Sequence, residues 1–443
     1  MSSALPRCRA MTGALVLALC LLLLSGTADR AQALPIVGSL VPGEIIIKLT
    51  PNAPREAIEV INDRYNTRVK ERFLDSANTD IYLLEITDGS STKDKLDKII
   101  GDKLRIIEYA EPNFFAEAPE AARRHRAFPT NDAVPTDDRY SQFPYAASAL
   151  NLSSAHAVSK GEGTTVAVVD TGAQLGHPAL KTNFDGVARY DFVDDDKNPS
   201  EPSFARDEVS RNNEVVGHGT HVAGIVDLVA PKAKIMPLRV LDREGYGTSF
   251  HIAEAISFAD SNGADVINLS LGMPDPTLLG LAPPKLLREK VVEAIRDGAV
   301  VVAAAGNYNN SVPTYPAARG STADDDDGLL AVTSVNWKER KSDFANYGLW
   351  VDIAAPGENI LSTYPLSTYA YWSGTSMAAP FLSGQATLIH SVEGSLDPAG
   401  IEVKIRCSAR PISQDPTHTM LGAGHTDVGA SLEQAPDSNC HLL

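Results

Sequence analysis

Residues 137–443 alternate continuous apolar strands with segments of helical spacing, and this pattern most constrains the fold. Residues 165–170, 234–241, 264–271, 299–305 and 329–335 read as strands; 252–259, 286–296 and 376–390 read as helices. A strand that is apolar on both faces cannot leave either face in water. Alternation with helices therefore specifies a mainly parallel central sheet covered on both sides, a three-layer α/β domain. Pro237, inside the second strand, predicts an irregularity or a sheet edge. Ligands of such sheets bind beyond the carboxyl ends of the strands. Asp170 and Asn307 both fall there.

The preceding residues divide differently. Within 34–117, strands are expected at 44–49, 80–86 and 104–109, with helices at 54–65 and 92–100, a small α+β unit. Residues 118–136, with Pro119, Pro129 and Pro135 around Arg123-Arg124-His125-Arg126, read as an exposed, protease-accessible linker. The basic run is either a cutting site for another protease or simply solvated. In residues 1–33, Arg7 and Arg9 precede an apolar run at 14–24, and Ala31-Gln32-Ala33 follows as a cleavage site. That is the pattern of a secretory signal peptide. The rival reading, a membrane anchor, needs an apolar span of about 20 residues.

Lys and Arg total 39 against 56 Asp and Glu, a formal net charge of −17. Phosphate needs clustered cations, so this balance argues against a nucleic-acid or anionic-membrane partner. Removal of residues 1–33 would leave Cys407 and Cys440, which are expected to pair in an oxidising compartment; two free thiols is the other reading.

Three segments carry chemistry: Val168-Val169-Asp170-Thr171-Gly172, Gly217-His218-Gly219-Thr220-His221-Val222-Ala223-Gly224 and Ser373-Gly374-Thr375-Ser376-Met377-Ala378-Ala379-Pro380. A serine hydroxyl becomes a nucleophile when a base lies within hydrogen-bond reach, and the base needs a buried carboxylate to hold its tautomer. Asp170, His218 and Ser376 supply these groups. Singly each has a plainer reading: a turn aspartate, one of two histidines three apart, a helix-capping serine. No glutamate lies between His218 and His221, so the zinc-protease pattern does not apply.

Together, in the order Asp, His, Ser, the three segments resemble the subtilisin-like serine proteases, the subtilases, whose triad runs in this order. The resemblance runs from about residue 40 to about residue 435. It implies a subtilisin-like domain at 137–443 in which Asp170 orients the base, His218 is the base and Ser376 the nucleophile. His221 would be structural. Asn307, after Ala303-Ala304-Ala305-Gly306, would donate to the developing oxyanion; in subtilisin, loss of such a donor costs about 10²–10³ in rate. Gly245, Tyr246, Gly247 and Ser270, Leu271, Gly272 would form the two edges flanking an extended substrate. Thr314 would sit near the base of the pocket for the residue before the cut, or be an ordinary loop threonine.

The resemblance further implies that residues 34–117 are a ferredoxin-like propeptide that assists folding and inhibits the enzyme, with maturation within 114–131. No catalytic cofactor is implied. Structural Ca²⁺ is expected at Asp191, Asp196 and Asn198, whose segment packs hard oxygen ligands at short spacing; the alternative is a solvated acidic loop. The calcium loop that many relatives carry after the histidine helix is missing, because residues 225–231 lead directly into the next strand. The expected protein is a secreted, monomeric endopeptidase, extracellular or periplasmic. It would act on protein or peptide substrates and have no membrane partner after signal removal. The alternative is a catalytically silent binding protein on the same fold.

Overall fold

The computed structural model describes residues 39–75, 78–123, 127–129, 144–201, 215–318, 328–413 and 415–433. The signal segment, Arg124 to Arg126 and Cys440 lie outside them. Cys407 is disulfide-bonded. Among the described residues no helix is long and apolar enough to cross a membrane.

The N-terminal unit runs β1 (Leu40–Leu49), α1 (Ala57–Tyr65), β2 (Thr67–Leu74), β3 (Asp80–Ile86), α2 (Thr92–Asp102) and β4 (Ile107–Glu117). Its sheet order is β2-β3-β1-β4, antiparallel throughout. Ile45, Ile47 and Leu49 of β1 pack with Ile61 and Tyr65 of α1 and Leu96 and Ile99 of α2 into a core of their own. Ser91 caps α2, its side chain accepting from the Asp94 N–H. Two features depart from the expectation. Thr67–Leu74 forms a strand, and β4 continues to Glu117 rather than ending near Tyr109.

A short helix, α3 (Pro119–Arg123), follows. The segment expected to begin an exposed linker is instead buried: Ala118 and Glu120 are wholly inaccessible.

The larger domain contains β5 (Thr165–Asp170), β6 (Tyr190–Asp191), α4 (His218–Val229), β7 (Lys234–Arg239), β8 (Tyr246–Thr248), α5 (Ser249–Ser261) and β9 (Val266–Leu269). After these come α6 (Lys285–Arg296), β10 (Val300–Ala304), β11 (Leu329–Val335), β12 (Ile353–Pro356), β13 (Ile360–Tyr364), β14 (Thr368–Trp372) and α7 (Thr375–Val392). Seven strands form one parallel sheet in the order β12-β11-β10-β9-β5-β7-β6. Helices α4 and α7 pack together, as do α5 and α6, and give the helical layers of the three-layer domain. Every residue of β9, β10 and β11 is buried, as two covered faces require. Gly384 of α7 lets α4 approach closely: a Cβ there would lie 2.5 Å from that of Val229. Pro237 lies in β7, next to the two-residue edge strand β6, which pairs with Leu238 and Arg239.

Candidate active site

Three element ends converge. Asp170 is the last residue of β5, His218 the first of α4, and Ser376 lies in the first turn of α7. His218 Nδ1 lies 2.7 Å from Asp170 Oδ1, and both side chains are wholly buried. The Thr171 N–H donates to the same carboxylate oxygen at 2.7 Å. Past the end of β10, Asn307 is held by its carbonyl oxygen, which accepts from the Thr375 N–H and the Thr375 hydroxyl at 3.0 Å each. This fixes the amide so that Nδ2 faces the Glu120 carboxylate.

The space among these groups holds a residue the sequence reading did not mark. One carboxylate oxygen of Glu120, Oε2, accepts from the Ser376 hydroxyl at 2.7 Å and faces His218 Nε2 at 2.9 Å. The other, Oε1, accepts from Asn307 Nδ2 at 2.9 Å. Gly374 makes room, since a Cβ there would collide with Oε1. Burial alone would lower the basicity of His218, but Asp170 and Glu120 on either side outweigh it and push its pKa up to about 10. Burial likewise opposes the Glu120 charge, and the hydrogen bond and charge of His218 reverse this and lower its pKa. The site is thus a carboxylate–imidazolium–carboxylate row.

The chain leading to Glu120 occupies the expected substrate groove. Strand β4 pairs antiparallel with β8, in the register Phe115 with Thr248, Ala116 with Gly247 and Glu117 with Tyr246. On its other side Glu117 exchanges both backbone hydrogen bonds with Gly272 at 2.9 Å, and the Ala118 N–H donates to the Gly245 carbonyl at 2.8 Å. The two glycine-rich edges, 245–247 and 270–272, therefore grip one extended segment between them. Leu271 is buried beside it. Pro119 has no N–H to donate. The Ser270 carbonyl accepts weakly from Ser376 Oγ at 3.3 Å. Thr314 is buried beneath the 270–272 edge and beside Gly306: its Cγ2 would lie 2.8 Å from a Cβ on Gly272 and its Oγ1 3.2 Å from one on Gly306. The Tyr308 hydroxyl bonds the buried Glu117 carboxylate, whose pKa burial raises to about 7.

His221 stands apart from this chemistry. Its Nε2 lies 3.1 Å from the Ile360 carbonyl and 3.0 Å from that of Ala370, tying α4 to the β13–β14 hairpin. Burial holds the ring neutral, with a pKa of about 3.

The acidic loop is arranged otherwise than expected. Asp191 Oδ2 pairs with Arg239 Nη1 at 2.6 Å, and its Oδ1 accepts from the N–H groups of Val193 and Asp194. Asp194 pairs with the same guanidinium at 2.5 Å. Asp196 Oδ1 accepts from the Asn198 N–H, and Asn198 Oδ1 from the Ser200 hydroxyl. Of the expected Ca²⁺ ligands, Asp191 is thus engaged by an arginine, while Asp196 and Asn198 make hydrogen bonds within the loop. No group of three or more His, Cys, Asp or Glu among the described residues is placed to hold a metal ion.

Comparison with known proteins agrees with this geometry. The chain is 39% identical over 299 residues to thermitase of Thermoactinomyces vulgaris, a match covering 65% of this chain and 96% of thermitase. It is 38% identical over 297 residues to a thermophilic serine proteinase of Bacillus sp. strain AK1, covering 65% of this chain and 64% of that protein. Fervidolysin of Fervidobacterium pennivorans, described as a keratinolytic enzyme related to subtilisin, shares the fold with a TM-score of 0.70 at 23% identity. That match covers 90% of this chain and 62% of the fervidolysin chain. The fervidolysin N-terminal prodomain profile matches residues 27–113. The subtilase profile matches residues 161–427, more than half of the sequence. With its buried Asp170–His218 contact at the mouth of a parallel seven-stranded sheet, the chain belongs to the subtilase family of serine proteases.

Proposed function

We propose that this chain is the exported precursor of a secreted endopeptidase, with residues 34–117 as a ferredoxin-like inhibitory propeptide and 137–443 as the catalytic domain. Glu120 carries the reading: its carboxylate is held at once by His218, Ser376 and Asn307. A negative oxygen facing the Asn307 amide lies where the oxyanion of acyl transfer develops.

Once Glu120 leaves, His218 Nε2 accepts the Ser376 proton as Oγ attacks a peptide carbonyl held along β8 and residues 270–272. Asp170 keeps Nδ1 protonated and balances the imidazolium that forms. Asn307 Nδ2 and the Ser376 N–H receive the oxyanion. Its collapse breaks the C–N bond, with the His218 proton passing to the leaving amine. Water then attacks the acyl-enzyme by the same route in reverse.

In the precursor the prosegment both inhibits and organises. Glu111 accepts from the N–H groups of Lys285 and Leu286, and Asn113 from the Ser249 hydroxyl and the Phe250 N–H. It thereby adds caps to the first turns of α6 and α5, whose leading N–H groups have no partner within the helix. This supports a chaperone role in folding.

Fluorophosphonate labelling tests the reading. The matured chain is expected to label at Ser376, the precursor far more slowly, and a Ser376→Ala chain not at all. A folded, matured chain that fails to label would instead favour the silent binding protein.

A further inference from the structure

Behind the triad, on the side away from the groove, lies a carboxylate that the mechanism above does not use. Glu201 is buried and makes three hydrogen bonds. Its Oε1 accepts from the Thr171 hydroxyl at 2.5 Å and from the Gly217 N–H at 3.0 Å. Its Oε2 accepts from the Thr220 hydroxyl at 2.5 Å. Thr171 directly follows Asp170, while Gly217 and Thr220 flank His218.

The two hydroxyls that donate to Glu201 also accept across the same junction. Thr171 Oγ1 receives the Gly219 N–H at 2.9 Å, and Thr220 Oγ1 receives the Gln174 N–H at 2.8 Å. Glu201 itself is anchored by its own N–H, which donates to the Ala173 carbonyl at 3.3 Å. The strand end bearing Asp170 and the helix start bearing His218 therefore meet on one buried acceptor.

We infer that Glu201 is a positioning residue of the catalytic pair, setting the distance and angle between Asp170 and His218 by clamping the residue that follows Asp170 and residues on both sides of His218. A carboxylate suits the place because it offers two acceptor oxygens and all three groups facing it donate, while burial raises its pKa to about 7. A glutamine amide must turn two N–H donors toward one of the threonines. That hydroxyl already accepts a backbone N–H, so its own proton loses its acceptor and the junction loosens. Misplacement of reacting groups by about 1 Å costs about 10²-fold in rate.

The inference rests on the triad assigned above, and active-site titration with a fluorophosphonate keeps the two apart. If the matured wild-type chain does not titrate, the triad reading fails. If it titrates and the variants behave like it, this one fails. In Glu201→Gln, kcat per titrated site is expected to fall by about 10- to 100-fold with KM changed less than about twofold. The low-field proton resonance of the His218–Asp170 hydrogen bond should shift or broaden. Thr220→Val, which removes one arm and keeps the carboxylate, should give a smaller loss of the same kind, and it carries the test if Glu201→Gln fails to fold. An unchanged kcat per titrated site, or a fall with the proton resonance unmoved, would overturn the positioning role.

Discussion

The Ser376 hydroxyl donates to Glu120 Oε2 at 2.7 Å, and His218 Nε2 faces the same oxygen at 2.9 Å. The proton that the base should withdraw is thus directed to a carboxylate of the same chain. The backbone before Glu120 lies in the groove as a substrate would, in register with Thr248, Gly247 and Tyr246. At Pro119 it turns into α3, and a side chain rather than a peptide carbonyl enters the oxyanion site. Substrate-like binding up to the cut, followed by this turn, makes an inhibitor of a segment that would otherwise be a substrate.

Replacing Glu120 should therefore speed maturation. A hydrogen bond to a charged group is worth about 1.5–3 kcal/mol, and Glu120 accepts from two neutral donors and faces the imidazolium. Glu120→Ala is expected to shorten the half-time of prosegment loss by about tenfold or more, with Glu120→Gln intermediate. Gel analysis of the purified precursor measures this, and an unaltered half-time in Glu120→Ala would refute the plug.

The Asp170–His218 contact and the sheet behind it were legible in the sequence because local order fixes them. Apolar runs 165–170 and 329–335 match strands residue for residue, and the first carries Asp170 at its end. Strand β2 was hidden by its outward charges, Arg68, Lys70 and Arg72, which mask the inward Phe73. The length of β4 was hidden by Pro112 and Asn113, which look like a break; yet Pro112 pairs with Ile45, and Asn113 spends its side chain on α5. Glu120 and Glu201 gave no local signal, since each is defined by partners about 100 or more residues away or by a threonine pair brought together only on folding.

The docked prosegment should loosen as pH rises. Burial raises Glu111 and Glu117 from an ordinary 4.5 to about 7, so their contribution is full below about 4.5 and lost as pH climbs through 7. Against burial, Asp170 and then Glu120 push His218 up to about 10, so the ionic part of its pairing with Glu120 is lost as pH rises through 10. Glu120, shifted down, contributes above its ordinary 4.5 and loses that only in acid. Docking is expected to be tightest near about pH 5–6 and weakest near about pH 10. Limited proteolysis across residues 115–123 of the Ser376→Ala chain should accelerate over that interval; a flat profile would contradict this.

The two helix caps predict how the prosegment guides folding. Loss of a capping side chain costs about 0.5–2 kcal/mol. Asn113→Ala should therefore weaken inhibition of the mature enzyme by the prosegment added in trans, by about 2- to 30-fold. It should slow refolding of the full chain to a similar degree while leaving the kcat of enzyme already matured unaffected. Equal inhibition by the Asn113→Ala and unaltered prosegments would mean that contacts at β8 alone hold the complex.

Thermal stability should depend on Arg239 rather than on calcium. Arg239 and Asp191 are both nearly inaccessible, and their 2.6 Å pair occupies the loop where a cation was expected. The chain also passes from α4 through residues 230–233 directly into β7, with no room for a separate calcium loop. Chelator is therefore expected to shift the melting temperature of the matured enzyme by no more than about 2 °C, the effect of less than about 1 kcal/mol in a domain of this size. Arg239→Met, by contrast, leaves Asp191 buried beside an apolar chain. Breaking a buried pair on one side costs about 3–5 kcal/mol, so the melting temperature should drop by about 6 °C or more. A steep fall in chelator, with Arg239→Met melting like the parent, would return the acidic loop to a metal-binding role.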